Sequence, residues 1–322
     1  MAEGGVGGQF WSVFVPGTWT GERAVAATLE QIDFVHRLVA AYPARLSLAL
    51  TAADVEKAYA DGTIASLLGA EGGHSIASSL GVLRMLHQLG VRYLTLTHNQ
   101  NVPWADSATD VLRLGGLSPF GRDVVREMNR LGMLVDLSHT APGTMHDALE
   151  VTAAPVMFSH SGARGLVDHP RNVPDEVLTA LATNGGVCMV AFVPIFVSTA
   201  YRDWNREVND DMAARGEDER DWSAHTAAAA RWAARHPSPP VGIADVADHV
   251  EHVREVAGVE HVGIGGDYDG YATMPTGLED VSCYPALIAE LLSRGWSSGD
   301  LAGLTRGNII RVLRDAEAVA SG

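Results

Sequence analysis

GMLVDLSHTAPGTMHDALEVTAAPVMFSH, residues 132–160, decides how this chain folds. It contains an apolar run (MLVDLS, 133–138), a stretch of helical period (141–151) and a second apolar run (PVMFS, 155–159). Both runs are apolar rather than alternating, the pattern of parallel strands buried on both faces. A strand, a helix and a second parallel strand make one crossover unit of an α/β fold. Each run also stops on an imidazole, His139 after the first and His160 after the second.

The same rhythm extends in both directions. Further strands are predicted over 10–15 (FWSVFV), 64–70 (IASLLGA), 92–97 (RYLTLT), 187–192 (VCMVAF) and 261–266 (HVGIGG). Helices are predicted over 22–41, 76–89, 118–131, 174–183, 245–256 and 284–294. That makes seven strands, whereas a closed barrel of this kind needs eight. The weak run at 45–50 (RLSLAL) reads as a peripheral strand. The expected fold is therefore α/β: a (β/α)8 TIM-type barrel lacking its first strand, in one domain over 1–322. Residues 193–244 break the rhythm. They are polar, rich in Ala and Arg, and end in SPPVG at 238–242. They read as a helical lid inserted after the seventh family strand.

Composition narrows the function. The 322 residues carry a formal net charge of -16, and Lys57 is the only lysine. Phosphate binding needs clustered basic side chains, so a nucleic-acid partner is not expected. The two cysteines, Cys188 and Cys283, suggest neither a disulfide framework nor a thiolate metal site. The N-terminal stretch lacks the basic and apolar regions of a signal peptide, and no segment has the length to span a bilayer. A cytoplasmic location without membrane contact is expected.

Five strand ends carry chemistry. Glu71 follows LLGA, His98 follows TLT, His139 follows VDLS, His160 follows MFS, and Asp267 follows IGG. In a barrel these ends converge on one face. Burying five such groups unpaired costs about several kcal/mol by transfer estimates, so folding alone does not explain them. Imidazole with carboxylate suits Zn, and also Mn, Co or Fe. Any one of these histidines alone is better read as a hydrogen-bonded core or rim residue; the constellation reverses that. Gly72 and Gly73 are expected to allow a tight loop beside the site. His74 and Trp104 are left as rim or supporting residues. His249 and His252 are read as a solvated helix face, and His87, His146 and His261 as surface or packing residues.

GAEGG (69–73), GLSPFGRDVVREMNRLGMLVDLSH (116–139), PVMFSHSGAR (155–164), HPRNVPDEVL (169–178) and HVGIGGDYDG (261–270) resemble the membrane (renal) dipeptidase family. These are zinc peptidases of the amidohydrolase-type barrel class, peptidase family M19. The resemblance covers nearly the whole chain. It implies that Glu71 bridges two zinc ions, that His139 and His160 complete the second, and that Asp267 ligates the first and shuttles a proton. It ranks Asp267 above Asp269. It implies that His98 contacts the substrate near the scissile carbonyl and that Arg171 binds the substrate's free carboxylate. The implied reaction is hydrolysis of a dipeptide by a metal-activated hydroxide. Without the resemblance, Arg171 reads as a surface salt bridge. A homodimer is implied by resemblance only.

One departure matters. The family begins on a strand with a His-x-Asp motif that ligates the first zinc, and no such motif precedes Glu71 here; the first histidine is His36. The favoured explanation is a gene start placed too late. The alternatives are a shortened form with one intact half-site, with zinc bound singly or in part, and a non-catalytic metal- or ligand-binding homologue. This chain by itself is expected to hydrolyse dipeptides poorly. Another barrel amidohydrolase, such as a lactonase or phosphotriesterase, usually needs a carboxylated lysine, and Lys57 is not at a strand end.

Overall fold

The computed structural model describes residues 1–218 and 221–320. Its sheet holds β1 (Gly8–Phe14), β2 (Leu46–Leu48), β3 (Ile64–Glu71), β4 (Val91–Thr95), β5 (Leu134–Asp136), β6 (Met157–Ser161), β7 (Val187–Val190) and β8 (Val262–Ile264). The main path runs β1-β3-β4-β5-β6-β7-β8, and every ladder is parallel. β2 pairs with the start of β3, off that path, so the 45–50 run is peripheral, as expected. The result is an α/β parallel-strand half-barrel. β1 and β8 are its two ends, and among the described residues no ladder joins them.

Local chemistry sets the crossovers. Ser118 caps helix Pro119–Leu131 by accepting a hydrogen bond from the Gly121 N–H at 3.2 Å, with Pro119 at the first turn. Gly132 ends that helix at φ +70, a left-handed conformation glycine adopts without steric cost. The chain then enters β5 through Met133, which is fully buried. Leu68, Leu94, Val135, Phe158, Cys188 and Val190 from successive strands join one core. A smaller cluster, with Ala65, Tyr93, Leu134, Met157 and Val187, forms against the C-terminal helix Asn308–Val319. That C-terminal helix lies outside the expected set.

The 193–244 segment is helical over Pro194–Val197, Thr199–Ala214 and Trp222–Ala233. Residues 219–220 of it lie outside the described residues. Tyr201, Trp204, Val208 and Met212 are buried, and the Trp204 indole N–H donates to the His236 carbonyl at 2.7 Å. Helix Ile243–Ala257 follows. Here one expectation is corrected. His249 is not on a solvated face: it is buried, and its Nδ1 accepts a hydrogen bond from the Ala163 N–H at 2.9 Å. His252 pairs with Asp175 at 2.9 Å. Helical period marks a face but not the neighbour that covers it.

Candidate metal centre

Glu71 is the last residue of β3, His139 lies three residues past β5, and His160 lies within β6. The strands bring all three together. Glu71 Oε1 is 3.2 Å from His139 Nε2 and 3.3 Å from His160 Nε2. The two Nε2 atoms are 3.0 Å apart. One ligand atom from each residue lies within 4.8 Å of the others, a spacing that could hold a metal ion. The other carboxylate oxygen of Glu71 is held by the Ser12 hydroxyl, which donates to Oε2 at 2.7 Å.

His98 adjoins this cluster. Its Nε2 is 3.7 Å from Glu71 Oε1, and its ring lies 4.2 Å from that of His139, tilted by 31°. Phe14, opposite Glu71 in the β1–β3 register, covers it at 4.9 Å between centroids. Burial, with Arg171 nearby, pushes the His98 imidazole down to about 4. The ring is thus neutral at pH 7 and offers one N–H.

Charges in the site act on one another. Burial raises the Glu71 carboxyl, but hydrogen bonds with His139 and His160 outweigh it and hold the group well below the usual range. Burial, then Arg171 and His98, push His139 well below its ordinary value. His160 goes the other way: burial lowers it, yet the Asp267 and Glu71 carboxylates raise it. Asp267 is raised, chiefly by burial.

Arg171 is not the surface group its sequence context suggests. It is 4% exposed, its Nη2 donates to the His160 carbonyl at 3.2 Å, and its guanidinium sits 5.3 Å over the Phe196 ring. Its buried Nη1 has no hydrogen-bond partner among the described residues. Burial draws its pKa down to about 10, against the pull of Asp267 and Glu71.

The backbone is unusual here. His139, Asp267 and Asp269 are three of the five non-glycine residues with positive φ among those described, at +68, +58 and +68. Such conformations cost about 1–3 kcal/mol and cluster at functional sites. Asp269 is exposed, whereas Asp267 is only partly so. Gly72 and Gly73 allow close approach as expected: a Cβ would meet His74 Cε1 at 2.4 Å in one case and the Leu96 carbonyl oxygen at 2.4 Å in the other. His74 and Trp104 are both buried beside that loop.

Asp267 does not belong to the three-residue cluster. Four polar residues around the site, Ser12, Asn99, Asp136 and Ser159, were not anticipated. Asp136 alone left a signal, as a carboxylate inside the apolar run MLVDLS.

The family model for membrane dipeptidase, peptidase family M19, matches residues 1–322. An uncharacterized dipeptidase of Schizosaccharomyces pombe is 44% identical over 98% of this chain and 72% of its own length. Dipeptidase 3 of Mus musculus is 42% identical over 99% of this chain, which spans only 57% of that relative. A crystal structure of a probable dipeptidase, PvdM, from Pseudomonas aeruginosa superposes with a TM-score of 0.89 at 23% identity, covering 99% of this chain and 88% of the other. At that identity the likeness speaks for the fold.

Proposed function

The chain belongs to the membrane dipeptidase family, peptidase family M19, and from that premise we propose that it hydrolyses the peptide bond of dipeptides at a divalent-metal centre. The observation that carries this reading is the convergence of Glu71 Oε1 and the Nε2 atoms of His139 and His160. Two imidazoles and a carboxylate on rigid strands suit zinc with open positions for water and substrate. A bound ion of that kind lowers the pKa of water to roughly 7 and polarises a carbonyl.

The chain's own groups supply the rest. The Arg171 guanidinium, with Nη1 free of other partners, binds the substrate's free carboxylate and so selects short peptides. The neutral His98 donates its N–H to the carbonyl oxygen as charge develops there. Asp267, whose burial favours proton uptake, takes the proton released by the attacking water and passes it to the leaving amine. Helix Pro194–Val197 brings Phe196 against Arg171 and His169, which supports reading 193–244 as a lid. The open sheet path supports reading a barrel strand as absent between β8 and β1.

One feature favours a half-filled centre. Among the described residues the cluster holds only Glu71, His139 and His160, and Asp267 stands outside it. Zinc is therefore read as one firmly held ion, with a second position weakly held by Asp267 and Glu71. The test is metal analysis of the purified protein beside a dipeptide hydrolysis assay with and without chelator. One zinc per chain and chelator-sensitive turnover, however slow, are expected. A chain that takes up no zinc would sink the reading. Among the described residues no helix is long and apolar enough to cross a membrane.

A further inference from the structure

Asp136 ends β5 fully buried, and its carboxylate accepts four hydrogen bonds. Oδ1 takes the backbone N–H groups of Ser138 at 3.0 Å and Ser159 at 2.9 Å. Oδ2 takes the hydroxyls of Thr95 and Ser159, both at 2.6 Å. No cation is among these partners; Arg171 acts on Asp136 only through its field. Stability alone gives little reason to keep a carboxylate here, because burying a charge without a paired counter-ion is costly.

The direction of the hydrogen bonds suggests what it does. A serine hydroxyl has one proton to give. Ser159 spends it on Asp136, its shortest contact; the approach to Ser138 Oγ is 3.4 Å. Ser159 Oγ also lies 2.8 Å from His160 Nδ1, so there it can only accept. His160 must then carry its proton on Nδ1. Its Nε2, which faces Glu71 Oε1 and His139 Nε2, is then the nitrogen without a proton whenever the ring is neutral.

We propose that Asp136 is a positioning residue that acts through Ser159 to fix the His160 tautomer whose Nε2 can bind metal. The inference rests on reading His160 as a metal ligand. Outer partners of this kind commonly set the tautomer and orientation of a ligating histidine. A carboxylate is needed because it cannot donate. In Asp136→Asn the two backbone N–H groups keep the amide oxygen at the Oδ1 position. The amide nitrogen then occupies the Oδ2 position and donates to Ser159. The serine hydroxyl turns to donate to His160 Nδ1, the ring proton moves to Nε2, and the lone pair meant for the metal is lost. Shape is conserved while polarity is inverted.

The test uses zinc affinity, measured by competition with a chromophoric chelator. It also uses histidine 15N shifts of the metal-free protein at alkaline pH, where the rings are neutral. Asp136→Asn is expected to weaken zinc binding roughly 10–100-fold and to shift His160 to the Nε2–H tautomer. Ser159→Ala removes the relay without inverting it, giving a smaller loss and a mixture of tautomers. The double variant is expected to bind zinc more tightly than Asp136→Asn alone, because the misdirected donor is gone. A merely structural Asp136 predicts no such recovery, and its absence would overturn the proposal. If Asp136→Asn does not fold, an unchanged Nδ1–H population in Ser159→Ala overturns it equally. A parent protein that binds no zinc refutes the metal-centre reading instead, and the tautomer spectra still decide the relay.

Discussion

On the side of the mouth built by β3, β5 and β6, three candidate ligands rise from strands paired on both edges. On the side bounded by β8 and β1, one carboxylate stands beyond a strand of three residues, and the sheet ends on either hand. The first side is preorganised: Ser12 fixes Glu71, and Ser159 fixes His160. The second offers Asp267 on a strained backbone with φ +58, raised toward its protonated form by burial. The contrast suggests a division of labour in which one side binds the ion and the other handles the proton.

The sharpest way to break that division is to compare Glu71→Gln with Asp267→Asn. Glu71→Gln should abolish zinc uptake and lower dipeptide turnover by about three orders of magnitude or more. Asp267→Asn should lower turnover by roughly 10²–10³ while the Glu71 cluster still holds its zinc. Metal analysis beside steady-state kinetics checks both. Loss of all zinc from Asp267→Asn would show the two sides to be one inseparable site.

A smaller effect separates substrate capture from chemistry. Arg171→Ala should reduce kcat/KM for dipeptides roughly 10–100-fold, chiefly through KM, because it removes charge-assisted hydrogen bonds to the free carboxylate. Dipeptides amidated at the C-terminus should lose little. An equal loss for both would place Arg171 in the scaffold rather than against substrate.

The smallest effect concerns how firmly the binding side is held. His249 supports the segment after β6 through Ala163, and burial pushes its imidazole from 6.5 down to about 4. The unfolded chain takes up this proton as the pH drops through 6.5; the folded protein does so only near 4. Stability is therefore full above 6.5 and is lost progressively between the two values. His87, lowered to about 4, acts in the same sense. Thermal melts should fall by a few degrees across that window, and His249→Gln should flatten part of the slope. A slope unchanged by the variant would remove His249 from this account.

Much of the binding side was legible in the sequence. Parallel strands read as apolar runs, and a polar group that stops such a run is conspicuous, so Glu71, His139 and His160 stood out before any fold was known. β1 and β3 to β8 fall within a few residues of their expected places for the same reason. What was hidden depends on facing. Asp136 sits inside an apolar run, and nothing local says that its neighbours across the sheet are Thr95 and Ser159. His249 shares its helix with exposed residues, and only the segment after β6 decides that it is covered. Arg171 reads from sequence as a surface salt bridge, and nothing local says that it is buried with its guanidinium over Phe196, further along the chain.

The left-handed backbone at His139 bears on any attempt to redesign metal preference. Histidine, asparagine and aspartate are the side chains most often found at such a φ, and β-branched residues are the poorest fit. Exchanging His139 for cysteine to favour a softer ion therefore meets a conformational cost before any coordination chemistry begins. The same exchange at His160, within the regular strand β6, carries no such cost. Of the two imidazoles, His160 is the one whose replacement can be explored, and His139 the one around which a library is best held constant.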